Sequence, residues 1–352
     1  MKKTELSFIS VAFMFVGTIM GAGFASGREI WQFFGVFGNR GYAGIAFVAA
    51  LFMLIGFMAS KIARSFGTSE MGTVVVPSGN PLLKGFVANF MAIILFLAYV
   101  TLAAAGGAIS NQQFGMSRLL GGAVVTGLVI ITVIGGFDRV SGVSRYIVPF
   151  LMATVFFVSA AVVAKNGGLA SAETTFEASP LASNWLLAAA MYLSYNMLPV
   201  IPIVSMASIR AKSSKHAFAG SMLGGLFMGA MAFLLFSAMM TDMTFSNSMD
   251  MPMLAFSRRL SQAANTVYLC VLFFAIYASA TINFFGFTVK YIKGAHIKLK
   301  TVAAAIAGFA FSLVGFRQII ANVFPVIGLL GILIMAMLAV NFVKATRKDK
   351  GV

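Results

Sequence analysis

Two short runs in this chain place reactive residue types inside apolar surroundings. The first is Gly21–Ala22–Gly23–Phe24–Ala25–Ser26–Gly27, followed at once by Arg28 and Glu29. The second is Ser194–Tyr195–Asn196, followed by Pro199 and Pro202. Gly21, Gly23 and Gly27 accept backbone conformations that other residues resist. A helix broken there would free carbonyls for a cation and would turn a new helix start, Ser26–Gly27 onward, toward an anionic group. Each proline removes a backbone donor and clashes one turn back, which would free groups near Tyr195 and Asn196. Glu29 is an ionisable residue in an apolar stretch, which marks a functional site by default. It would bind a substrate amine, a coupling cation or a proton, or else close an internal ion pair with Arg28. Tyr99 and Thr101 precede the small-residue run Ala103–Ala108, and Tyr99 would donate to a carboxylate if it faced the break. Packing alone would also explain small residues and tyrosines in such helices.

The elements that hold these runs follow from composition. Of 352 residues, 60% are hydrophobic and 10% charged, with a mean hydropathy of +0.96. Soluble domains average roughly 25% charged, so bilayer must cover this apolar surface. A membrane helix needs about 20 mostly apolar residues. On that scale ten segments stand out: 8–36, 41–64, 84–113, 119–136, 143–165, 182–209, 215–240, 253–290, 299–316 and 318–344. The reading is an all-α integral membrane protein of about ten transmembrane helices, with helices one and six broken.

Basic residues set the orientation. With the N-terminus inside, all Lys and Arg fall inside except Arg28, Arg40, Arg118, Lys165, Arg258, Arg259 and Arg317. Both termini are therefore expected in the cytoplasm, with Glu173, Glu177, Asp242 and Asp250 outside. Ser194 lies 173 residues after Gly21. The same offset carries segments two, three and five close to segments seven, eight and ten. Five helices are odd in number, so the second set must be inverted, as in many secondary transporters. The expected halves are residues 1–170 and 171–352.

Other classes are excluded. The net charge of +16 sits in short loops, which is the signature of a membrane protein and not of a nucleic-acid binder. The lone Cys270 permits no intrachain disulfide. His216 and His296 sit in basic loops without metal-ligand spacing. There is no phosphate-binding GxxxxGK[ST] loop and no HExxH helix, so ATP-driven transport and zinc hydrolysis find no support, and no cofactor or metal is expected. The start MKK with an apolar stretch resembles a signal peptide, but Glu5 and the resumed apolar run beyond GAGFASG argue against cleavage. No paired catalytic set appears at membrane depth. MPMLAFSRRL reads as an external amphipathic segment, and KATRKDK as a basic tail for anionic lipid.

GTIMGAGFASGREIWQFF at 17–34 resembles the first helix of the YkvI-like amino acid permeases. They are a branch of the amino acid–polyamine–organocation superfamily, with its LeuT-like five-plus-five fold. SYN at 194–196 and AGGAISNQQFG at 105–115 are similar to that family as well. The resemblance implies a secondary transporter of an amino acid or small derivative, coupled to Na+ or H+, in the cell membrane. It implies that Gly21, Ala22 and Gly23 hold a substrate carboxylate with Ser26 and Gly27, beside Phe24 and Tyr99. Tyr195 and Asn196 would line the opposite wall. Sodium-coupled members carry two adjacent hydroxyl residues in helix eight. Here AIYASAT places Ala278 at one such position and leaves Ser279 and Thr281 as candidate cation ligands, with Glu29 as a further coupling group. Helix five has only Arg145 near its start and Lys165 at its end, so the mid-helix lysine of proton-coupled relatives is missing. An ion-only carrier or channel and a non-transporting nutrient sensor remain alternatives.

Overall fold

A computed structural model describes residues 5–169, 176, 180–249 and 251–349. Lys2, Lys3, Glu173, Glu177, Asp250 and Lys350 of the sequence reading lie outside them. Among the described residues all extended elements are helices, and the one isolated bridge pairs Leu6 with Ala211. In chain order they are α1 (Phe8–Ile19), α2 (Ala22–Ala25), α3 (Arg28–Phe34), α4 (Arg40–Phe66), α5 (Met71–Val75), α6 (Pro81–Phe114), α7 (Arg118–Ile134) and α8 (Phe137–Lys165). Then come α9 (Trp185–Ile209), α10 (Ser214–Met240), α11 (Met243–Ser248), α12 (Pro252–Leu260), α13 (Gln262–Tyr291), α14 (Ile297–Ser312) and α15 (Phe316–Asp349).

Seven of these are long and apolar enough to cross a membrane: α4, α6, α8, α9, α10, α13 and α15. The shorter α1–α3, α7 and α14 coincide with the remaining predicted segments. Local sequence fixes the helix ends. Asn80 caps α6 through Leu82 and Leu83 N–H, with Pro81 as its first residue, where a missing donor costs nothing. Asn184, Ser213 and Ser261 cap α9, α10 and α13 in the same way.

The first segment is broken as expected. α1 stops at Ile19, Met20 turns to ψ 60°, and Gly21 is extended. One turn of helix follows. Gly27 then takes φ +79°, a left-handed conformation that suits glycine, and starts α3. The expected break in helix six is not there. α9 runs unbroken through Pro199 and Pro202. The prolines leave the Tyr195 and Leu198 carbonyls without their usual donors, but dense packing supports the helix around them. Its apolar stretch is 89% buried, against 33% for α15. The predicted eighth segment divides at Ser261 into α12 and α13, so Arg258 and Arg259 end a separate short helix.

α9 is the central helix. α4 packs on it and on α10, while α1 lies against α10, α9 and α13. α6 contacts α13, α7 and α14, and α15 lies along α9 and α4. Broken α1–α3 therefore sits between α9 and α13, with α6 and α15 closing the sides.

Candidate functional site

A helix that stops inside a bundle leaves its last carbonyls without backbone donors. Here α13 supplies them from side chains. Ser279 Oγ donates to Gly17 O at 2.6 Å. Asn283 Nδ2 donates to Thr18 O at 3.2 Å and to Ser279 O of its own helix at 2.8 Å. On the far side of the break, Tyr268 Oη donates to Ala25 O at 2.5 Å and Met253 N–H to Ser26 O at 2.9 Å. Both stumps of the broken helix are thus held by α12 and α13.

Glu29 lies in the first turn of α3 and is 7% exposed. Tyr195 Oη donates to its Oε2 at 2.7 Å. The rest of the carboxylate lies across Gly23, and a Cβ on Gly23 would fall on Glu29 Oε1 and Cδ. Gly23 is therefore needed for room. The Arg28–Glu29 pair weighed from sequence does not form. Arg28 turns its guanidinium to Asn247 O and Met249 O, at 3.5 and 3.2 Å.

A cavity opens beside the break. Counted as the room open to the centre of a water molecule, it measures about 70 Å³. One such centre needs roughly 10–15 Å³, so several waters or a small solute fit. Gly21, Ala22, Gly23 and Glu29 line it from the broken helix, and Tyr195, Asn196 and Pro199 line it from α9. Ser279 and Asn283 face it from α13, Thr101 from α6, and Phe324 and Ile327 from α15. Residues from both runs singled out in the sequence thus meet at one cavity.

Five candidates stand elsewhere. Tyr99 is fully buried, but its hydroxyl donates to Ala305 O at 2.9 Å and Thr126 Oγ1 at 3.2 Å, between α6, α7 and α14. Phe24 is buried outside the lining. Ser26 turns its hydroxyl back to Gly23 O at 3.2 Å. Gly27 is walled by Met239 and Met253, so the start of α3 is covered and does not open to the cavity. Thr281 is buried with its hydroxyl unpartnered, also outside the lining.

Asn283 is one of two polar lining residues that the sequence reading missed. Its signal was its place one helical turn after Ser279, on the same face of the helix. Thr18, one residue from the stump of α1, went unnoticed for the same reason. Among the described residues, no three His, Cys, Asp or Glu gather where they would hold a metal ion. The chemistry on offer is recognition: one carboxylate, two amides and several hydroxyls within an apolar wall.

Known proteins of this shape place the geometry in context. Among solved structures, Mhp1, a nucleobase-cation-symport-1 family transporter with bromovinylhydantoin bound, superposes with a TM-score of 0.66 at 12% identity. The match covers 94% of this chain and 75% of Mhp1. The fold is LeuT-like. A Na+-coupled sialic acid symporter aligns at TM-score 0.64 and 12% identity, over 95% of this chain and 78% of its own. MhsT, in complex with L-phenylalanine, aligns at 0.60 and 16%, over 96% and 90%. Among curated sequences, the "uncharacterized membrane protein YkvI" of Bacillus subtilis (strain 168) is 26% identical over 337 residues, 93% of this chain and 94% of that protein. A second protein of that organism, YyaD, is 22% identical over 333 residues, 92% of this chain and 94% of its own. No protein-family profile matches the chain. The chain is an integral membrane protein of LeuT-like fold.

Proposed function

We propose that this protein is a secondary active transporter of an amino acid or small amino-acid derivative. It works by alternating access, is coupled to Na+ or H+, and is a member of the amino acid–polyamine–organocation superfamily. The observation that carries this reading is the cavity itself, set at the interruption of the first helix and faced by Glu29, Tyr195, Asn196, Ser279 and Asn283. Irregular backbone at membrane depth is tolerated where it lines a cavity, and interrupted helices mark the binding site in transporters of this kind. The backbone of Gly21–Gly23 and the α9 wall hold the substrate, and Glu29 and Ser279 are the coupling groups. The unit made of α1–α4, α9 and α10 rocks against α6–α8, α13 and α14. The basic loops support a cell-membrane protein with both termini on the cytoplasmic side.

Purified protein in proteoliposomes tests this. Labelled amino acids are offered one at a time, under separate sodium and proton gradients, against an unlabelled pool inside. Saturable, gradient-driven uptake is expected. Folded protein that moves none of them under either gradient overturns the reading in favour of an ion-only carrier or a sensor.

A further inference from the structure

The hydroxyl groups around the cavity face it in one sense. Thr18 gives its hydroxyl proton to Met14 O at 2.6 Å, and Thr101 gives its own to Leu97 O at 2.8 Å. Ser279 gives its proton to Gly17 O and Tyr195 to Glu29. Each of these oxygens is left with lone pairs and no proton to offer. Asn283 has committed its amide to Thr18 O and Ser279 O, and its Oδ1 is buried without any partner. Asn196 gives one amide proton to Tyr192 O at 2.9 Å. Apart from the second Asn196 amide proton, what the lining side chains have left are acceptors, with the Glu29 carboxylate the strongest; the donors at the break are the backbone N–H groups of Ala22 and Gly23, which start α2 without a cap. Lining side chains rich in acceptors and poor in donors suit a group that brings several N–H bonds and a positive charge to Glu29.

The charge of Glu29 points the same way. Of the residues lining the cavity, it alone is ionisable apart from Tyr195. Around it, α9 brings Tyr195 and Tyr192, and α13 brings Tyr268, whose hydroxyl is committed to Ala25 O. Tyr99 of α6 is committed to Ala305 O. Asp242 and Arg259 pair with each other at 2.8 Å near the far end of α10, and Arg28 is directed to carbonyls. No described cation faces the carboxylate. A buried carboxylate left charged and alone is costly. It must be neutralised, by a proton or by a cationic ligand.

From this geometry we infer that Glu29 is an exchange site at which a proton and the ammonium group of an amine-bearing substrate bind in alternation, making the protein a proton-coupled antiporter of small amines or amino acids. The inference rests on the transport reading above and names its coupling ion and the group it recognises. Binding is a balanced exchange: protonated Glu29 and the substrate's R–NH3+ give a Glu29 carboxylate paired with R–NH3+, plus one released proton. An empty, charged site is the costly state to carry across, so the carrier reorients with one occupant or the other. Uptake of one is thereby tied to export of the other.

The test uses the full chain, purified in detergent and weakly buffered. The probes are straight-chain primary amines of one to six carbons, carboxylates of matching length, and leucine. At least one amine is expected to bind and to release about one proton per molecule bound. Its affinity should fall about tenfold per pH unit in the acid range, where protons compete for the site. Glu29→Gln should abolish the proton release, and Glu29→Asp should restore it, which separates titration from a fold defect. Amine binding that ignores pH, proton release that survives Glu29→Gln, or binding confined to carboxylates would overturn the inference. So would a folded protein that binds no amine. Proteoliposome uptake of labelled amino acids, run alongside, separates the two readings. Uptake that persists under a sodium gradient and ignores pH leaves transport standing and removes only the proton exchange.

Discussion

Gly23 makes room for Glu29. The two residues are six apart in sequence and are joined by the break, which folds the carboxylate of Glu29 back over the Cα of Gly23. Any side chain at position 23 displaces that carboxylate from Tyr195. Gly23→Ala should therefore insert and fold but lose most transport. A 1 Å misplacement of a working group costs about 10²-fold, and a drop of that order is expected in initial uptake rate. Gly23→Val should abolish transport altogether. Detergent-solubilised monodispersity measured beside proteoliposome uptake checks both halves. Normal uptake by Gly23→Val protein would remove Glu29 and the break from the site.

Asn283 closes the stump of α1 as a backbone donor would. Replacing it with Leu leaves Thr18 O buried without its donor, and such a group costs about 1–3 kcal/mol. Thermal unfolding in detergent should show a lower Tm for Asn283→Leu. Ser279→Ala, which strips Gly17 O of its donor, should lower it as well. The two residues share one network, so the losses in the double variant should not add. Strict additivity would show that the two caps act independently.

Much of this was legible in the chain. The glycine run at 21–27 announced its break because it weakens the helix locally, whatever packs around it. The ten segments were legible because bilayer thickness sets a length that apolar runs must meet. The continuity of α9 was not, because its prolines are supported by neighbours that only the fold brings up. Tyr99 was misplaced because a fraction of a turn about the helix axis decides whether a side chain meets the break or the α7–α14 seam, and hydropathy is blind to that. The Glu29–Gly23 approach had no readable spacing, since six residues across an interruption match no helical period. Asn283 shares the face of Ser279 by local spacing, but that this face meets the stump of α1 depends on the register between α1 and α13, which no local pattern encodes.

The loop after α9 ties together several elements on the side of the bundle that holds Leu6. Leu6 N–H donates to Arg210 O at 2.8 Å, and Lys212 N–H donates to Leu6 O at 3.0 Å. Arg64 of α4 reaches Ser208 O and Ala211 O at 3.3 and 3.4 Å. From this loop the Arg210 guanidinium lies 3.9 Å over the Phe137 ring and 3.8 Å from Asp138, at the start of α8. The contact joins the unit proposed to rock to the helices it would rock against. Both side chains of the ion pair are partly exposed, so the pair contributes little alone, and the ring contact adds about 0.5–1 kcal/mol. Arg210→Ala should shift the population toward opening on this side by up to about fivefold. A Thr18→Cys reporter in a Cys270→Ala background, labelled from that side with an impermeant thiol reagent, should react correspondingly faster. An unchanged labelling rate would mean that the contact does not gate.

Asp242 offers a pH signature outside the membrane-spanning segments. Burial pushes its carboxyl up, but Arg259 at 2.8 Å and the Phe245 N–H at 3.0 Å outweigh burial and hold it below its ordinary value of 3.8. A carboxyl held down in the folded state stabilises the fold above pH 3.8, where it is ionised in folded and unfolded chain alike. That contribution fades as pH falls through the lower folded value. The side chains of Asp242 and Arg259 are 37% and 50% exposed, so solvent screening keeps the effect to about 1 kcal/mol or less. Asp242→Asn keeps an acceptor for the cap of α11 but removes the charge. Wild type should therefore exceed Asp242→Asn in Tm near neutral pH, and the gap should close below pH 3.8. High salt should narrow the gap at neutral pH, because exposed charges are screened within a Debye length. A gap that persists at acid pH would assign the stability to the cap alone and not to the ion pair.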